Sequence, residues 1–276
     1  MSRPPKLCVY CGQPGSSKEH PWGRWSAEPF GPGHTTNHYV QLYPNPEDPT
    51  YCDTKLGALN RPGSPRSQTF KIVCEPCNNG WMSEIQNRAK EALTSLAEGD
   101  WSEFGLERQA AVAAWAALFT MTIEHAHKDT VSITFAERDR FRTQRQLSEK
   151  WRVAVGTGEF ASHYSVGHRA MLVRDTTGSV PDEPSQLSCW DFGQLTIATF
   201  YGPEEIARIM DERFLYADMR VISPPRAAKL LKPEPFEGIN SWQLLDILTP
   251  VPAAPPIISG VSAFVRERRR SAPRND

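Results

Sequence analysis

The sequence predicts an α+β fold, with a metal-stapled strand-turn-helix module near the N-terminus followed by a helical and mixed α+β region. Three observations predict it. Two C-x-x-C pairs, Cys8 with Cys11 and Cys74 with Cys77, are separated by 62 residues, a pattern that lets each pair grip one ion from a tight turn. Directly after the second pair, Trp81, Ile85, Ala89, Leu93 and Leu96 recur at intervals of three and four, which is one face of a helix. Beyond Trp151 the apolar period falls toward two, the signature of strands.

Taken in order, residues 6–12 read as a knuckle whose Gly12 permits the tight turn. Residues 22–67 are dense in Pro, Gly, Asn and Ser and predict a long loop with little regular structure, although residues 37–43 alternate weakly as a strand does. The apolar run Phe70-Lys71-Ile72-Val73 leads into the second pair, and a helix is expected from Asn78 to Glu98, stopped by Gly99. A second helix, residues 105–127, is apolar nearly all round and is expected to be buried; His125 and His127 suit its negative C-terminal end. Thr134 caps a third helix, residues 135–147, on which Glu137, Arg138, Asp139 and Arg140 read as a solvated face. Strands are expected at 152–155, 170–173, 195–201 and 219–222, and a short helix at 203–214.

Length and charge bound the function. A chain of 276 residues buries a full core in one or two domains, here divided as 1–100, 101–252 and a Pro-rich basic tail, 253–276, expected to be disordered. The net charge is −1, and residues 1–100 carry ten charges of each sign, so a nucleic-acid site has to be a local patch. No apolar run is long enough to span a bilayer and Met1-Ser2-Arg3-Pro4 opens no secretory signal, so no membrane partner and a cytoplasmic location are expected. Six cysteines are too few and too dispersed for a disulfide scaffold; four are expected to bind zinc, leaving Cys52 and Cys189 as free thiols.

The first C-x-x-C pair, the step Glu19-His20 and the C-x-x-C-Asn entry to a helix together resemble the HNH nucleases of the His-Me-finger class, over residues 6–98. That resemblance implies a ββα-metal, treble-clef-like module with a structural zinc on Cys8, Cys11, Cys74 and Cys77. It further implies that His20 is the general base activating water, that Glu19 and Asn78 ligate one catalytic Mg²⁺ or Mn²⁺, and that Asn60 orients the base. The implied activity is metal-dependent hydrolysis of DNA phosphodiesters, with RNA not separable, in a setting such as bacterial or phage restriction or defence.

The residues also admit other roles. Glu19 and His20 on a regular strand would point to opposite faces, so a shared site needs irregular backbone at that step. His20 can pack or bind the zinc, and Asn78 can serve merely as a helix N-cap. His34 and His38, at four-residue spacing, are ordinary loop or strand residues more readily than ligands. The rival class is a non-catalytic zinc module that binds DNA or a protein. The region 101–252 carries no motif; substrate selection, homodimerisation or partner binding are its open roles. Arg138, Arg140, Arg142 and Arg145 offer phosphate contacts, but their acidic neighbours favour a plain solvated face.

Overall fold

The computed structural model describes residues 5–26, 36–44, 52–62, 69–126, 131–158, 164–173, 183–236, 241–248 and 258–264. Among these the chain is mixed α+β with two sheets. The small sheet pairs β1 (Ser17–Glu19) antiparallel with β4 (Phe70–Val73). Immediately after β4 comes a helical turn, Glu75–Cys77, then a widened turn, Asn78–Met82, then helix α1 (Ser83–Ala97). Gly80 departs from helical dihedrals (φ −91°, ψ −114°), so the kink between the two helical segments falls on a glycine. The stop at Gly99 is as expected and its chemistry is visible. Gly99 takes φ +87°, its N–H donates to Leu96 O, and the Asp100 N–H donates to Ser95 O, the two bonds of a Schellman cap.

Helix α2 (Leu106–Ile123) is buried along nearly its whole length, as its composition requires. Helix α3 (Phe135–Gln144) starts where the Thr134 side chain accepts the Glu137 N–H at 3.2 Å, and it ends three residues earlier than expected, at a left-handed Arg145 (φ 59°). The large sheet contains β2 (Thr36–Pro44), β3 (Cys52–Pro62), β5 (Trp151–Gly158), β6 (Tyr164–Val173), β7 (Glu183–Phe192), β8 (Leu195–Tyr201), β9 (Arg220–Ser223), β10 (Pro235–Phe236) and β11 (Ile258–Phe264). Its order is β10-β5-β8-β7-β6-β11-β2-β3, with β9 also paired to β5. Helices α4 (Glu204–Tyr216) and α5 (Ser241–Leu248) complete the described elements.

Strand alternation sorts the sheet's side chains into two cores. Trp151, Val153, Val155, Trp190 and Ile197 join a cluster with α1 and α2, while Ala154, Leu187, Cys189, Ala198 and Phe200 join one with α4 and α5. The first cluster runs from Cys8 to Leu230 and so contains residues on both sides of position 100. Its centre is aromatic: Phe119 of α2 stacks on Trp190 of β7 at 4.5 Å, and Trp22 packs edge-on against Phe119 at 4.8 Å.

The structure differs from the sequence reading at several elements. Residues 36–44 form the strand that the weak alternation of 37–43 suggested, whereas 52–62, in the expected loop, pair with it antiparallel in the large sheet, with Val40 opposite Leu56. Ile258–Phe264, expected within a disordered tail, lie between β6 and β2; no proline falls between Pro256 and Pro273, and Ile, Val and Phe supply strand-forming residues there. The solvated face expected on α3 is half buried. Glu137 and Arg138 are 7% and 5% exposed, because Glu137 accepts from Trp151 and Arg140 while Arg138 pairs with the fully buried Glu124. Glu124 also accepts the Ser132 and Ile133 N–H groups, so its burial is chemically complete. His125, whose place at the end of the buried helix suits the negative pole, is nevertheless held neutral: burial, with the Arg138 cation beside it, pushes its pKa down to about 3. His34 and His127 lie outside the described residues.

Phe119 joins the sheet, the buried helix and the segment that follows β1. Phe119→Ala is expected to cost about 3–5 kcal/mol, read as a lower urea midpoint at unchanged slope.

Candidate functional site

Two centres share the β1-β4-α1 unit. The first is the cysteine cluster. The ligand atoms of Cys8, Cys11, Cys74 and Cys77 all lie within 4.8 Å of one another, and His20 is not among them. The knuckle is shaped by Gly12 at φ 70°, whose N–H donates to Cys8 O, and by Cys8 N–H donating to Gln13 O. It is tied to β4 by Val9 N–H donating to Ile72 O at 2.9 Å. A Cβ on Gly15 would stand 2.5 Å from Cys74 Cβ, so only glycine lets the chain leaving the knuckle pass the second pair. Four sulfurs this close form a set that suits a tetrahedral soft-ligand ion such as Zn²⁺. Cys189 is a buried thiol in no disulfide among the described residues, and the Cys52 side chain lies outside the described ones.

The second centre is a cleft of about 390 Å³ lined by Lys18, Glu19, His20, Gly23, Trp25, Asn78, Asn79, Ser83 and Gln86. Glu19 and His20 therefore reach one cleft together with Asn78. The irregular backbone this requires is present: Ser17 opposes Val73 and Glu19 opposes Phe70, so the register shifts within β1, and the strand ends at Glu19. His20 begins a turn closed by Gly23 N–H donating to His20 O at 3.0 Å. Pro21 fits the second position of such a turn, and Gly23 takes φ +58° at the fourth. Between them Trp22 is buried against Phe119, so the backbone carrying His20 is anchored in the aromatic core.

Asn78 is not an N-cap. Helical backbone begins at Glu75, with Cys74 in the cap position, and Asn78 itself has helical dihedrals (φ −62°, ψ −53°). Its amide nitrogen instead donates to Ser17 Oγ at 2.8 Å and to Lys18 O at 3.1 Å. Both amide hydrogens are thus engaged on β1, which leaves Oδ1 as the side chain's ligating atom. Glu19 is 3% exposed and accepts Gln86 Nε2–H at 2.9 Å. Burial raises its pKa from the usual 4.5 to about 8, against the opposing pull of the Gln86 and His20 N–H donors.

Asn60 lies in strand β3 of the large sheet and not in a loop before the helix, and its side chain is outside the described ones, as is that of His38 in β2. Sequence reasoning missed Ser17, Lys18, Trp25 and Gln86. The signal for Gln86 was there: Asn79, Ser83 and Gln86 form a polar stripe at helical spacing opposite the apolar one. The α3 arginines are otherwise occupied: Arg140 pairs with Glu137, Arg142 with Asp139, and Arg145 lies over the Trp81 ring at 4.7 Å. No protein-family model, curated protein or solved structure matches the chain.

Two outcomes are expected. Metal analysis of purified protein is expected to find one zinc per chain, lost in Cys77→Ser. In protein free of added divalent ions, a carboxyl whose folded pKa is raised favours the folded state below its unfolded pKa and loses that advantage as pH rises. Glu19→Gln is therefore expected to gain stability on the wild type between pH 4.5 and 8, by up to about 1.4 kcal/mol per pH unit, measured by urea unfolding across that range.

Proposed function

We propose that the chain is an HNH-type endonuclease that hydrolyses phosphodiester bonds of DNA, using the cleft at Glu19, His20 and Asn78. The observation that supports this reading is the sharing of one cleft by those three residues, apart from the four sulfurs. A treble-clef-like ββα unit, made by β1, β4 and α1 around a structural zinc, is the frame that the reading requires.

The donor set suits a hard divalent ion. Glu19 offers a carboxylate oxygen and Asn78 an amide oxygen, few enough for Mg²⁺ or Mn²⁺ to keep most of its waters. When bound, that ion supplies charge stabilisation to the scissile phosphate and the leaving oxygen. Glu19 must give up its proton to ligate, so its raised pKa makes ion uptake proton-releasing near neutral pH. Gln86 holds the Glu19 carboxyl, and Ser17 with Lys18 O holds the Asn78 amide, so both ligands enter the cleft preset. His20 takes the proton from the attacking water, and its turn-locked backbone limits the positions its imidazole can adopt. RNA shares this chemistry at the phosphate.

A second reading, a non-catalytic zinc module binding DNA or a protein, is favoured by the burial of Glu19, which suits a neutral structural acid. Supercoiled plasmid, single-stranded DNA and RNA incubated with Mg²⁺ or Mn²⁺ separate the two. Wild type is expected to cut DNA, and zinc-loaded His20→Ala to lose at least about 10²-fold in rate. Folded, zinc-loaded wild type that cuts none of the three substrates would decide for the binding module.

A further inference from the structure

We propose that Lys18 is the phosphate anchor of this cleft, its ammonium pairing with a non-bridging oxygen of a nucleic-acid backbone phosphate beside His20. The assignment rests on the nuclease reading above and names how that site holds its substrate. Lys18, Glu19 and His20 are consecutive, yet all three line the cleft. On a regular strand Lys18 would face away from Glu19. Here the pairing changes register, with Lys71 and Ile72 both falling opposite Lys18, and a bulge of this kind re-aims a side chain. The local backbone is pinned as well, because Asn78 Nδ2–H donates to Lys18 O. Lys18 thus lines the same cleft as the acid and the imidazole, at the point where the register shifts.

Charge leads to the same residue. Lys18 is the one permanent cation among the residues lining the cleft, and Glu19 the one carboxylate. Lys18 is exposed, and among the described residues its ammonium has no ion-pair partner. With a net charge of −1 and with Arg138, Arg140 and Arg142 committed to carboxylates, the chain has little cationic surplus near α3. A lysine ammonium is a point charge on a flexible stem that reads a phosphate and no base edge, so this contact is independent of sequence.

The test is the salt dependence of binding to a labelled DNA duplex without added divalent ion, so that binding is read without cutting. Wild type, Lys18→Ala and Lys18→Arg are compared at matched zinc content and melting temperature. One lost phosphate contact makes the slope of log K against log salt shallower by about 0.9 on duplex. That change is expected for Lys18→Ala, with Lys18→Arg keeping the wild-type slope. An unchanged slope in folded, zinc-loaded Lys18→Ala overturns the anchor while wild-type binding leaves the nuclease reading standing. A wild type that binds no duplex overturns the anchor, and the nuclease reading is then decided by the cutting of the three substrates.

Discussion

Everything at the candidate site depends on one closure, the meeting of Cys8 and Cys11 with Cys74 and Cys77 across 62 intervening residues. Bringing such a loop's ends together costs entropy that grows with the logarithm of its length, a cost that ligation of a single ion by the four sulfurs would offset. Once the two pairs are together, β1 is laid against β4 and the helical segment starts beside it. Only then can Asn78 bond Ser17 and Gln86 bond Glu19, residues about as far apart in sequence as the two cysteine pairs. The cleft is thus a by-product of the staple: its two walls come from the two chain segments that the cysteines join.

The rest of the fold stiffens what the staple brings together. Tyr10 of the knuckle packs edge-on against Trp81 and its hydroxyl meets Thr122 of α2 at 3.3 Å. Trp22, two residues past His20, reaches Phe119 and through it Trp190. Thr120 of α2 contacts Thr199 of β8 at 2.7 Å, so the buried helix is fixed to the sheet by a polar as well as an aromatic contact. A site on an irregular strand end would otherwise have little to hold it. Here Trp22, two residues past His20, is locked by packing into the larger of the two cores.

What was legible in the sequence follows from which signals are local. Cysteine spacing, the apolar stripe of α1, the all-round apolarity of α2, the Thr134 cap and the Gly99 stop are each written within a few residues, and each appears in the structure. The strand β8 was legible because its side chains alternate between two apolar cores. By contrast β7 hides behind Ser185, Gln186, Ser188 and Asp191, which are buried and polar; Gln186 accepts from the distant Ser132, and Asp191 accepts from Thr196 of the next strand. The same is true of Glu137 and Arg138, whose charges suggest solvent until Trp151 and Glu124 are seen beside them. Asn78 was ambiguous for a related reason. Its amide answers to β1, 61 residues earlier, and nothing in its own neighbourhood records that.

The pairing of β2 with both β3 and β11 carries a consequence for the order of events as the chain is made. All the residues lining the cleft lie between Lys18 and Gln86, so its parts are available once the first third of the chain has been synthesised. The hairpin looped out between the cysteine pairs cannot take its place in the large sheet until residues 258–264 have emerged. Contacts of that sequence separation form late and slowly. The nascent chain is therefore left with a cysteine-cluster module assembled early and an unpaired hairpin edge beside it, a stage at which edge-to-edge association between chains is the main hazard.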